Sequence, residues 1–421
     1  MIEPPIHSIG DILNLAKRKP KRDSNGCGEK SDDGFVRGQN DEILRGHPEN
    51  IRRACTLLGI ALHHNAFLML TEITEGNTRS ELTDAKAIRL RFLIQEMFGF
   101  LPSKQLFEDV LTDIAHQNSY HPVRDYLDGL KWDGVPRIDN WLPVYAGAED
   151  TPFNRSVGRI FLVAGVRRIR QPGAKYDTML VFESGQGKDK SKALRALATK
   201  DEWFTDNLPL SADPKEVIEA TCGVWIAEFA ELDGISRRDV GHVKSFLSKQ
   251  DDRARPAYGR RSERIPRQFV PAGSTNDAQY LLDIENRRFW PVSIKKFDTE
   301  KLKRDVDQLW AEAAHYEAEG ESITLQEDLW AAAAEAQEQR EVDSPILDAL
   351  RTIVRGKDWI SAALLWETLG TPLERRSSMV TAVGKAMRKL NFERKQVWDD
   401  QTKAELKRGD PYYARRPASE C

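Results

Sequence analysis

Apolar positions along the first third of the chain recur at helical spacing. From about Glu49, the set Ile51, Ala54, Leu57 and Leu58 shares one face, and Ile88, Leu90, Phe92, Leu93 and Met97 repeat the pattern further on. This periodicity predicts a small helical domain over residues 46–140, ending in a turn-rich linker (Tyr120 to Trp141) punctuated by Gly129, Gly134 and Pro136. Residues 1–45 show little periodicity and are expected to be a flexible arm, with the basic run from Lys17 to Arg22 solvated. Beyond Trp141 the pattern changes. Short apolar runs, Met179–Phe182, Gly223–Phe229 and Gln268–Ser274, alternate with helical stretches, which predicts an α/β domain over 141–340 with a largely parallel sheet. Two Ala/Glu-rich helices are expected at about 300–318 and 325–341. After Ser344 the pattern starts afresh, with helical runs at Ile346–Val354, Ala362–Leu369 and Ser377–Leu390 in a separate piece, 341–421.

Composition narrows the class only slightly. The chain has 421 residues, 31% of them charged, and a net charge of −3, so any nucleic-acid surface has to be local. The four cysteines (Cys27, Cys55, Cys222, Cys421) form no C-x-x-C pair and suggest neither zinc nor a disulfide framework. No signal-peptide core and no membrane-length apolar run is seen, so a cytoplasmic, membrane-free protein is expected. None of His63, His64, His121, His242 and His315 has a paired metal-ligand pattern.

The candidate chemistry begins after the first predicted strand. Ser184-Gly-Gln-Gly-Lys-Asp-Lys190-Ser191 follows Met179–Phe182 and precedes a helical run through Ala193, Leu194 and Leu197. It matches the phosphate-binding pattern G-x-x-x-x-G-K-[ST] in Lys190 and Ser191, but has Ser184 and Asp189 where that pattern has glycine. In such loops, backbone N–H groups wrap phosphates, the lysine neutralises them and the hydroxyl holds Mg²⁺. A carboxylate at Asp189 opposes phosphate by like charge, and a Cβ there restricts the backbone. Gly185, Gln186, Gly187, Lys188 and Lys192 complete the candidate nucleotide-binding set.

Further on, Gly223-Val-Trp-Ile-Ala-Glu228-Phe-Ala-Glu231-Leu-Asp233 is an apolar strand ending in acids, of which Glu228 and Glu231 are the best candidates for Mg²⁺ and water. A basic segment from Lys244 to Arg261 places Arg253, Arg255, Arg260 and Arg261 around Tyr258, the combination that tracks single-stranded nucleic acid. The third strand ends in Asn276, suited to orienting water near a γ-phosphate. Arg287 and Arg288 form a pair able to reach a neighbouring subunit's phosphate.

Taken together, these motifs resemble superfamily III helicase motors. More closely, Tyr120-His-Pro-Val-Arg-Asp-Tyr-Leu127, Trp132-Asp-Gly134, Glu228-Phe-Ala-Glu-Leu232, Arg255-Pro-Ala-Tyr-Gly-Arg260, Ser274-Thr-Asn276 and Asn286-Arg-Arg-Phe-Trp-Pro291 are similar to the virulence-associated protein E family of phages, prophages and phage satellites. The resemblance spans roughly residues 100–320. It implies an AAA+ P-loop NTPase core flanked by the helical N-terminal domain and a winged-helix-like C-terminal domain. It also implies ATP and Mg²⁺ as cofactors, Ser191 and Glu228 as metal ligands, and Glu228, Glu231, Asn276, Arg287 and Arg288 as the catalytic set. The implied activity is an ATP-dependent DNA helicase working as a homo-oligomeric, hexameric ring on single-stranded or origin DNA in a bacterial host cell, with priming or initiation left to a partner. Glu285 replaces the usual small residue before Asn286. The altered loop leaves a second reading open, a non-hydrolysing DNA-binding or interference protein with a degenerate AAA+ core. Separately, the basic helix Glu374–Leu390 after a Gly/Pro turn reads as a helix-turn-helix, with Phe392–Val397 and the turn Arg408–Pro411 as a wing.

Overall fold

The computed structural model describes residues 33–421 apart from 209–213, 231, 233–236, 255–262, 278–279, 281–286, 341–344, 397–405, 407–408 and 417–421. The chain divides into two compact units, Met1–Gln339 and Arg340–Cys421.

The first unit opens with α1 (Pro48–Leu57), then strands β1 (Ile60–Asn65), β2 (Leu70–Glu75) and β3 (Thr78–Glu81), followed by helices α2 (Asp84–Phe98), α3 (Lys104–Gln117) and α4 (Pro122–Gly129). The expectation of a purely helical 46–140 is therefore corrected, because β1, β2 and β3 form an antiparallel sheet in that order. The β2–β3 hairpin pairs Glu75 with Thr78, so Gly76 and Asn77 alone make its turn, and Gly76 adopts φ +59°. The expected flexible arm is also corrected over 33–45. Phe35 is fully buried in a cluster with Ile51, Ile94 and Phe107. The buried Asn50 amide holds this segment by accepting from Val36 N at 2.7 Å and donating to Val36 O at 2.8 Å and Leu44 O at 2.9 Å. The earlier part of the arm, with its basic run, lies outside the described residues.

The supposed linker up to Trp141 is packed structure: Ile138 and Trp141 are both fully buried. The buried Glu312 carboxylate accepts from the backbone of Arg137 at 2.6 Å and Ile138 at 3.0 Å, which fixes the turn. Helix α5 (Pro152–Arg170) follows, started by the Thr151 hydroxyl, which accepts from Asn154 N. Thirteen of its 19 residues are buried, and arginines take most of the remainder.

The central sheet consists of β4 (Met179–Glu183), β5 (Phe204–Thr205), β6 (Ile226–Phe229), β9 (Val270–Thr275) and β10 (Phe289–Ser293). It is parallel throughout, in the order β10-β4-β9-β6-β5. Helices α6 (Lys190–Leu197), α7 (Pro214–Thr221) and α8 (Arg237–Ser248) connect the strands, and a two-stranded hairpin, β7 (Asp251–Ala254) with β8 (Glu263–Pro266), stands outside the sheet. Helices α9 (Thr299–Ala318) and α10 (Trp330–Glu338) complete the unit. Trp225 of β6 stacks on Trp310 of α9 with ring centres 4.1 Å apart, and their indole N–H groups donate to Gly165 O and Leu197 O. Trp330 is 56% exposed.

The second unit runs α11 (Pro345–Ile353), β11 (Trp359–Ser361), α12 (Ala362–Thr368), α13 (Leu373–Lys389), β12 (Phe392–Gln396) and β13 (Pro411–Arg415). Its antiparallel sheet has the order β11-β13-β12, and Leu350, Leu365, Val383, Met387 and Phe392 fill its core.

Gly165 lets α5 approach the tryptophan stack, since an added Cβ would lie 2.9 Å from the Trp310 ring. Gly165→Ala is expected to lose about 1–3 kcal/mol by overpacking, only partly offset by alanine's helix propensity of about 1 kcal/mol. An unchanged urea midpoint would show that this contact is not close-packed.

Candidate functional site

Parallel strands deliver their C-terminal ends to one edge, and the candidate residues collect there. The loop after β4 leads into α6, whose first residues are Lys190 and Ser191, while Glu228 lies in β6 and Asn276 directly follows β9. The Lys190 ammonium donates to Ser184 O at 2.8 Å, Ser184 Oγ at 3.1 Å and Asn276 Oδ1 at 3.0 Å. The structure thus joins two motifs that lie 86 residues apart in the chain.

Glu228 is the electrostatic centre. Its side chain is 0% exposed, and its Oε1 accepts from Ser191 Oγ at 2.9 Å and Ser274 Oγ at 2.6 Å. Its Oε2 has no hydrogen-bond partner among the described residues. Burial pushes this carboxyl's pKa up, with the Asp206 charge adding to the rise, while the two serine hydroxyls and the Lys190 charge pull against it. A buried carboxylate oxygen with no donor is costly. Together with the Ser191 hydroxyl it offers the all-oxygen donor set that suits Mg²⁺, so the residues present fit that ion.

The loop itself carries one unusual residue. Asp189 sits at φ +59°, ψ +29°, the left-handed conformation that favours glycine and that Asp adopts more readily than most residues. Its carboxylate pairs with Lys192 Nζ at 2.9 Å and lies 3.8 Å from Lys296 Nζ. The hydrogen bond from Lys192, then the two lysine charges, hold it below the usual carboxylate range. Gly187 has φ +77° with nothing near its missing Cβ, while Gly185 and Gln186 are exposed. The Lys188 carbonyl accepts from Phe297 N at 3.1 Å, tying the loop to the segment after β10.

The arginine pair lies elsewhere. Arg288 O accepts from Met179 N, so the pair stands at the start of β10 and β4, the end opposite the loop. With β4 five residues long, that is roughly 15 Å from the phosphate loop of the same subunit. Arg287 is exposed, whereas Arg288 is partly buried with Asp177 3.5 Å away.

Of the candidate nucleic-acid residues, Lys244 lies on α8 and Arg253 is exposed on β7. Arg255, Tyr258, Arg260 and Arg261 lie outside the described residues, as do Glu231, Asp233 and Glu285. Two basic residues flanking that segment have structural partners. Arg264 pairs with Asp251, and Arg267 is buried, forming a two-pronged pair with Asp252 and donating to Phe246 O at 2.6 Å.

Sequence reasoning missed Ser274, Asp206 and Lys296 as members of the site, and read Ser184 only as a replaced glycine of the loop. Ser274 shares a sheet face with Ala272, two residues before it on β9, and Ala272 pairs with Glu228 of β6. The motif Tyr120–Leu127 turns out to be bracing. His121 caps α4 through Nδ1 and contacts Gln268 through Nε2 at 2.6 Å, and Tyr126 OH donates to Asp307 at 2.6 Å.

A parallel-sheet α/β protein with a lysine–serine loop on its second sheet position is the class that this geometry defines. The chain belongs to the virulence-associated protein E-like family, because residues 127–342 match the Virulence-associated protein E-like domain. Among solved structures it is similar to the apo C-terminal region (305–718) of NrS-1, at 12% identity and TM-score 0.49, covering 86% of this chain and 98% of that one. It is also similar to an A-form apo structure of that region, at 11% identity and TM-score 0.48, covering 87% of this chain and 98% of that one. No curated protein matches the chain.

Because the folded pKa of Glu228 is raised, its contribution to stability is full below the ordinary carboxylate range near pH 4 and is lost as pH rises through the folded value. Glu228→Gln removes that loss. The melting temperature of the variant minus that of wild type should therefore climb between pH 5 and pH 8 without added metal, and a difference that is flat or falls with pH would contradict the buried-carboxylate assignment.

Proposed function

We propose that this protein is an Mg²⁺-dependent ATPase with an AAA+ core of the superfamily III helicase type, acting in replication of a phage or related mobile element. The observation that carries the reading is the convergence of Lys190, Ser191, Glu228 and Asn276 on one edge of a parallel sheet whose first strand lies between its fifth and its fourth. A lysine on the phosphates, a hydroxyl and an acid for Mg²⁺ and a polar group to orient water are the parts that P-loop phosphoryl transfer uses.

In this reading the loop 184–191 wraps the phosphates of ATP, with backbone N–H groups at the start of α6 facing the anion. Lys190 exchanges its contacts with Ser184 for phosphate oxygens while Asn276 keeps its orientation. Ser191 and Glu228 would hold Mg²⁺, which supplies charge neutralisation at the β- and γ-phosphates. Hydrolysis forms a bond between water oxygen and the γ-phosphorus and breaks the bridging β–γ bond, releasing ADP and phosphate. Glu231 is assigned the attacking water. Arg287, exposed and at the opposite end of the sheet, is assigned to a neighbour's site, which calls for a ring of subunits. The β7–β8 hairpin and the second unit are assigned to DNA. The helix–strand–helix–helix–strand–strand order of that unit is the winged-helix order, and Arg388, Lys389, Arg394 and Lys395 are exposed on its third helix and following strand.

A second reading, binding without turnover, is favoured by Asp189, whose carboxylate sits at the loop in a conformation strained for a residue with a Cβ. The two readings part on one measurement. In steady-state ATPase assays with Mg²⁺, the motor reading expects Lys190→Ala to lower the rate by about 10²-fold or more, as loss of a charge-stabilising donor does. It also expects Asp189→Gly to tighten nucleotide binding about tenfold by removing a like charge. Background rates in wild type, Lys190→Ala and Asp189→Gly alike would sink the motor reading and leave the binding protein.

A further inference from the structure

At the end of the sheet opposite the phosphate loop lies a cavity of about 580 Å³, within the size range of small-ligand sites. Its walls come from the segment before β4, the start of β10 and the face of α10 that carries Ala333 and Ala334. On this lining Tyr176 is only 3% exposed and its hydroxyl lies against that of Thr178, while Arg288 Nε makes no hydrogen bond among the described residues. Asp177 stands 3.5 Å from that nitrogen, a loose ion pair. Natural interiors rarely leave such groups unpaired unless something else fills the role.

The charge and shape of the lining indicate what would fill it. Among the described residues Lys175, Arg287 and Arg288 face one acid, Asp177, a balance that favours an anion. Trp290 and the exposed Trp330 supply aromatic faces. We propose that this cavity is a binding site for a small aromatic anion, an aryl carboxylate, sulfonate or phosphate. Arg288 and Lys175 would meet the anionic group, and the ring would lie against Trp330 and the alanine face of α10. None of the loop residues lines the cavity, but it shares Arg287 with the nucleotide reading, which gives that residue to a neighbour's site.

The test is a fluorescence titration of the full chain with 8-anilinonaphthalene-1-sulfonate, compared with the neutral N-phenyl-1-naphthylamine. Wild type should bind the sulfonate at one saturable site, at least about tenfold tighter than the neutral amine, the worth of roughly one charge-assisted contact. Ala334→Trp, which fills the cavity from an exposed position, and Arg288→Gln should each weaken sulfonate binding at least about tenfold, with thermal unfolding confirming that both variants fold. Should Arg288→Gln fail to fold, Lys175→Gln, at an exposed position, carries the charge test with an expected loss of about threefold. Sulfonate affinity unchanged in a folded Ala334→Trp, or equal binding of the neutral amine, overturns the proposal.

Discussion

The first unit is organised around one buried carboxyl group. Glu228 is sealed from water, and the hydroxyls of Ser191 and Ser274 reach only one of its two oxygens. Those donors belong to α6 and β9, so holding the carboxylate requires β6 to stand beside β9 and the loop after β4 to present its serine inward. A misregistered sheet would bury the charge with no donor at all, a far larger penalty than any lost apolar contact. The apolar core explains why the sheet is buried, and Glu228 explains why its register is specific.

Much of the site was legible because its residues carry chemistry at strand ends. Lys190, Ser191, Glu228 and Asn276 stand out as polar groups where apolar runs stop, and that is where the structure assembles them. The rest was hidden for physical reasons. The strand β5 has two residues, too few for any periodicity, so Asp206 beside Glu228 could not be read as part of the edge. The strand β10 contains Pro291, which argues against a strand in sequence and is tolerated because β10 lies at the sheet's edge. The N-terminal sheet was overlooked because its helical flanks dominate the pattern, although Gly76-Asn77 is a two-residue hairpin signal. Phe35 and the segment around it look unstructured by composition, and only the distant Asn50 amide explains why they are not.

Several residues that mark the family in sequence prove to be structural braces. His121, Arg124 and Tyr126 tie α4 to Gln268 before β9, to the Ile169 carbonyl at the end of α5 and to Asp307 on α9. Trp132 donates to Val135 O and stacks on His315 with ring centres 4.8 Å apart. Such residues form no part of the site edge, but they fix the helices that enclose the sheet. Glu317 extends the same bracing by pairing with both Arg167 and Arg170.

The strand β9 is buried along its whole length and is restrained at both ends. Ahead of it, Arg267 is locked to Asp252 at the base of the β7–β8 hairpin and stacks on Phe246 of α8. Behind it, Asn276 accepts from Lys190, and Ser274 is fastened to Glu228. A six-residue strand of about 20 Å, clamped between two parallel neighbours, has little freedom to bend. It is therefore a stiff link between the Lys190–Asn276 edge and the root of the hairpin.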